Sequence, residues 1–87
     1  MQLTPEQLDA LRAVPLGAMP NKLRIALALA KTKQVEVADA TGIQRPNLSN
    51  LVTGDYKTLT VETARKLADF FGCQIEDLFP SREAVAS

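Results

Sequence analysis

Eighty-seven residues suffice for one small domain, and the 46 % apolar content excludes a wholly disordered chain. Ten Lys and Arg balance ten Asp and Glu, so no global field draws the chain to nucleic acid or an anionic membrane, and a charged partner must be met by a local patch. With no His, one cysteine (Cys73), no glycine-rich phosphate loop and no paired carboxylates on a recognisable scaffold, neither an enzyme, a metal site nor a cofactor is expected.

In chain order the reading is all helical. Thr4-Pro5-Glu6-Gln7 starts a short helix, with Thr as N-cap, Pro at the first helical position and Gln where a capping box needs it. Leu8 and Leu11 share one face of it, and Pro15, Gly17 and Pro20 stop it from continuing. Asn21 is placed to cap a second helix running to about Lys31, in which Leu23, Ile25, Leu27 and Leu29 spread over more than one face. Such a helix needs cover on both sides. Leu3, Leu8, Leu11 and Leu16 of the extension 1–20 are expected to fold back over it as an added core layer. A dimer surface, formed there or by Phe79 with the last helix, is the alternative. Arg12 is the extension's only positive charge, which argues against an arm that grasps DNA.

Helices over 34–41 and 45–53 follow, then a loop from Asp55 to Leu59. Thr60 caps a helix that ends at Gly72, with Glu62 in its first turn, and Ile75–Phe79 make one more turn before Pro80. Residues 81–87 offer little to bury and are expected to fray. The longest unbroken apolar run, Ile25–Ala30, is far short of the ~20 residues that cross a bilayer. No charged-then-apolar leader opens the chain, so no membrane partner and a reducing, cytoplasmic setting are expected.

The informative stretch is Gln34 to Gly54, two short helices joined at a tight turn. Ala38 is small where two helices would cross closely, and Gly42 takes positive φ without steric cost. Leu48 and Leu51 share a face that packs back on the first helix. At about 100° per residue, Pro46, Ser49, Asn50 and Thr53 point the other way, with Arg45 and Asn47 on the flanks. A packed inner face beside an outer face of hydrogen-bonding groups is what entry into a DNA major groove requires. Charge agrees: residues 21–58 carry six cations (Lys22, Arg24, Lys31, Lys33, Arg45, Lys57) against three acids, whereas residues 1–20 and 59–87 are net acidic.

The same residues resemble the helix-turn-helix of the phage-repressor-like (Cro-type, XRE) family. Gln34, Ala38, Gly42, Leu48 and Leu51 match its pattern in register, and Gly54 sits where the family closes the recognition helix. Leu67 to Leu78 is similar to its fourth helix, Gly-ended turn and short fifth helix. The resemblance implies a five-helix, lambda-repressor-like DNA-binding domain over residues 21–80, preceded by the helical extension 1–20 and followed by the tail 81–87. It departs from the pattern at Val52, where Glu is common, at Leu59, where many members carry Pro, and at Pro46, a position often used to read a base.

Pro46 cannot sit deep in a helix, so the recognition helix must start at about Gln44 or Arg45, and its free N–H groups suit a phosphate oxygen or a base edge. Base contacts are expected from Arg45, which the resemblance places at a base-reading position, from Asn50 and Ser49, and from Pro46 as an apolar touch on a thymine methyl. Phosphate contacts are expected from Lys33, Gln44, Asn47, Tyr56 and Lys57, and by resemblance from Gln34, which would also brace the recognition helix. Bland readings stand beside these. Asn47 and Ser49 are ordinary helix-surface residues, Tyr56 can cover the core edge while its hydroxyl stays wet, and Cys73 reads as a core thiol. The expected function is sequence-specific binding of double-stranded DNA by a homodimeric regulator, acting as a repressor. The competing function is a module that holds a partner protein, such as an antitoxin gripping its toxin.

Overall fold

The computed structural model describes residues 2–80 and 85–86. Among the described residues six helices are formed: α1 (Pro5–Ala13), α2 (Leu23–Ala30), α3 (Gln34–Thr41), α4 (Arg45–Thr53), α5 (Val61–Phe71) and α6 (Ile75–Leu78). Two two-residue strands, β1 (Leu59–Thr60) and β2 (Val85–Ala86), pair in parallel, Leu59 opposite Val85 and Thr60 opposite Ala86. The fraying expected over 81–87 lies outside the described residues at 81–84 and 87. At 85–86 the backbone is instead paired.

Local signals set the helix ends. Thr4 and Gln7 form the capping box, Gln7 N–H donating to the Thr4 hydroxyl at 3.2 Å and Thr4 N–H to Gln7 Oε1 at 2.9 Å. Thr60 caps α5 by accepting from Thr63 N–H at 3.2 Å. Helices α3, α4 and α5 each end on a glycine with positive φ: Gly42, Gly54 and Gly72.

One core runs through the molecule. Val37 and Ala38 of α3, Leu48, Leu51 and Val52 of α4, and Ala64, Leu67, Ala68 and Phe71 of α5 are buried together with Leu23, Ala26 and Ala30 of α2. Leu3 and Leu11 of the extension are buried in the same core, and Leu8 packs against it. Polar ties fix the extension further. Leu3 N–H donates to the Phe71 carbonyl at 2.8 Å, and Gln7 Nε2 to the Leu29 carbonyl at 2.8 Å. Arg12 grips Asp77 through both carboxylate oxygens at 2.9 and 3.2 Å.

Two further details differ from the sequence reading at the start of α2. The helix begins at Leu23, and Asn21 caps it from two residues upstream, its Oδ1 accepting from Leu23 N–H at 3.0 Å. Lys22 does not belong to the solvent-facing cations. It is only 7 % exposed, and its ammonium donates to the Leu11 carbonyl at 2.9 Å, satisfying the C-terminal end of α1. Its charge serves the fold, leaving five exposed cations against three exposed acids in residues 21–58.

Candidate nucleic-acid interface

Helices α3 and α4 pack against each other across the turn at Gly42, whose φ of 77° only glycine adopts freely. The Thr41 hydroxyl donates back to the Val37 carbonyl at 2.7 Å and accepts from Ile43 N–H at 3.3 Å, pinning the corner. From there α4 turns Leu48, Leu51 and Val52 into the core and leaves Arg45, Pro46, Asn47, Asn50 and Thr53 exposed. Ser49 lies between these faces and is half-buried.

The N-termini of the two motif helices differ from those of α1 and α5. Threonine hydroxyls cap the latter, whereas neither Lys33 before α3 nor Gln44 before α4 makes a side-chain cap. Both residues are exposed, and α4 carries no acidic residue in its first turn. Pro46 contributes no N–H, so Arg45 and Asn47 hold the free backbone donors of that turn. These donors and the positive end of the helix dipole lie in the turn that also carries the exposed Arg45, chemistry suited to an anion or a base edge.

Asn47, Asn50 and Tyr56 line a common cleft of about 230 Å³ between α4 and the segment leading into α5, together with Asp55, Thr58, Thr60 and Thr63. Thr60 is the cap of α5, whereas Thr58 and Thr63 are polar groups that no motif in the sequence singles out. Tyr56 is half-buried and its hydroxyl lies 3.5 Å from Asn21 Nδ2. Lys57 is exposed. Lys33 and Gln34 stand at the start of α3, and among the described residues no hydrogen bond joins the Gln34 side chain to α4. Val52 is buried and, with Arg24, lines a second cleft of about 370 Å³ against Met19 and Pro20. Among the described residues Arg24 has no carboxylate partner.

Outside this face, burial pushes the half-buried Cys73 thiol up to about 11, with the nearby Asp77 adding to the effect. The Arg12 hydrogen bonds hold the Asp77 carboxyl below its ordinary value, against an opposing contribution from burial. No group of three or more His, Cys, Asp or Glu among the described residues is arranged to hold a metal ion.

A family model described as a Cro/C1-type HTH DNA-binding domain matches residues 22–80. The chain belongs to the Cro/C1-type family. An uncharacterized HTH-type transcriptional regulator of Methanocaldococcus jannaschii is 36 % identical to it over 61 residues, which span 70 % of this chain and 91 % of that protein. No solved structure matches. Within the Cro/C1-type domain, α3 and α4 are the helix-turn-helix, and α1 lies before the matched segment. No helix among the described residues is long and apolar enough to cross a membrane.

Proposed function

We propose that this Cro/C1-type chain is a sequence-specific regulator of transcription that binds double-stranded DNA as a homodimer, with α4 of each protomer in the major groove. The observation that carries the reading is the division of α4: three apolar residues buried, and Arg45, Pro46, Asn47 and Asn50 open to solvent beside an uncapped N-terminus. Arg45 pairs with guanine, Asn50 with adenine, Pro46 touches a thymine methyl and Ser49 adds a hydroxyl at the groove edge. Lys33, Gln34, Gln44, Asn47, Tyr56 and Lys57 hold phosphates and set register. The name of the archaeal relative, an HTH-type transcriptional regulator, supports the regulatory role.

Five exposed cations against three acids give a weak field, so one protomer neutralises few phosphates and two are needed for useful affinity. A dimer places two recognition helices about 34 Å apart on one face of the duplex. Repression then follows from occupying the site and excluding other proteins. The same low charge favours a second reading, a module that grips a partner protein.

Titration of a labelled random-sequence duplex at roughly 50 mM salt separates the two. A regulator binds with second-order dependence on protein concentration and loses affinity steeply as salt rises. A protein-binding module shows no duplex binding under these conditions.

A further inference from the structure

We propose that Asn21 is a positioning residue for DNA reading, holding the C-terminal turn of α4 at a fixed pitch; this rests on the function proposed above. The carboxamide is 2 % exposed and both its ends are used. Oδ1 accepts from Leu23 N–H at 3.0 Å, fixing the start of α2, while Nδ2 donates to the Leu51 carbonyl at 2.6 Å and lies 3.5 Å from the Tyr56 hydroxyl. That carbonyl is one of the last four of α4, which have no partner within the helix. The neighbouring Asn50 carbonyl is taken by Gly54 and Asp55 N–H groups. The last turn of the recognition helix is therefore closed on one side by its own chain and on the other by a residue 30 positions upstream.

The residues flanking Asn21 are anchored independently, so the carboxamide has little freedom. Pro20 packs against Gly54, which caps α4. Lys22 N–H donates to the Leu78 carbonyl at 2.8 Å, and its ammonium donates to Leu11. Three consecutive residues thus tie α4, α6 and α1 to one point. Neither Asn50 nor Arg45 touches this junction, yet their placement over a groove depends on the tilt of the rod that carries them. Base readout fails at errors that phosphate contacts tolerate, since the former needs paired donors and acceptors in line and the latter needs proximity.

Asn21→Ser keeps an acceptor near Leu23 N–H but cannot reach Leu51. Gln7→Ala, which removes the hydrogen bond to the Leu29 carbonyl, serves as a comparison that weakens the fold away from α4. For each folded variant, two quantities are measured: hydrogen exchange at the Gly54 and Asp55 amides, and the ratio of affinities for a duplex selected by the unsubstituted chain and for random duplex. The expected result for Asn21→Ser is faster exchange at both amides and a selectivity ratio reduced about threefold to tenfold, the range of a net hydrogen bond. Low-salt binding to random duplex falls far less than binding to the selected duplex, any small loss reflecting the Asn21 contact with the Tyr56 hydroxyl, and Gln7→Ala leaves the ratio intact. Unchanged exchange, an unchanged ratio, or equal losses on both duplexes overturns the positioning role. An unsubstituted chain that prefers no duplex overturns the DNA reading itself, and this proposal with it.

Discussion

The ring of Pro20 fills the space that a side chain on Gly54 would need: a Cβ added at position 54 would lie 2.5 Å from the Pro20 Cβ and 2.8 Å from its Cγ. A proline ring cannot swing aside as the end of a long side chain can. Gly54 also has φ of +85°, where L-residues are strained. Gly42 shares the second feature (φ +77°) but not the first, since nothing lies within 4 Å of its added Cβ. Gly42→Ala is therefore expected to cost about 1–2 kcal/mol from backbone strain. Gly54→Ala adds overpacking and is expected to cost about 2–4 kcal/mol. Denaturant unfolding of both variants checks the order; equal costs would show that Pro20 yields.

The link between Arg12 and Asp77 predicts an acid limb of stability. Asp77 is 11 % exposed, and in the folded chain its carboxyl titrates below the unfolded value of roughly 3.9. The sign follows: the pair stabilises fully above that value, and the contribution disappears as pH falls through the depressed one. Asp77→Asn should lower Tm at pH 7, and the two Tm curves should converge as pH drops below about 4. A constant offset across that range contradicts the pairing.

Much of the helical organisation was legible because its punctuation is local. Gly42, Pro46 and Gly54 bracket α3 and α4 at residues 34–41 and 45–53, and Thr4 with Gln7 announces α1 by a capping box that needs only four consecutive residues. The polar junction was not legible. Lys22 counts as one more cation in a charge tally, and only the packing of α1 turns its ammonium inward. Asn21 reads as a helix cap, which it is, but its second bond reaches 30 residues along the chain. The pairing of residues 85–86 with β1 likewise depends on an encounter between distant segments that no periodicity encodes. On the interface face, helical phase was enough to expose Arg45, Pro46, Asn47 and Asn50. It also turned Ser49 outward, but Ser49 is half-buried, because near the edge of a face a rotation of a few tens of degrees decides burial.

The different fates of two lysines give a third prediction. Lys57 is exposed beside the helix-turn-helix, whereas the Lys22 ammonium is committed to α1. Lys57→Ala should weaken binding to all duplexes alike and reduce the salt slope by about one. Lys22→Met should lower Tm yet leave the slope where it was. A slope that falls equally in both variants contradicts the assignment of Lys22 to the fold.

Cys73 supplies a chemical test of its surroundings. With its thiol pushed up to about 11, the thiolate fraction at pH 7.5 is lower than that of an ordinary cysteine by on the order of 100-fold. Alkylation by iodoacetamide should be correspondingly slow at pH 7.5, and its rate should still be rising at pH 10. Reaction at the speed of free cysteine would place the thiol in water.

The central claim is that the exposed face of α4 reads base sequence, and selection of bound sequences from a random duplex pool tests it most directly. The account predicts enrichment of two-fold symmetric sites with half-sites about one helical turn, roughly 34 Å, apart. Repeating the selection with Arg45→Ala should relax one base position in each half-site and leave the rest of the site intact. A pool that emerges as random as it began, or an Arg45→Ala selection identical to that of the unsubstituted chain, would contradict it.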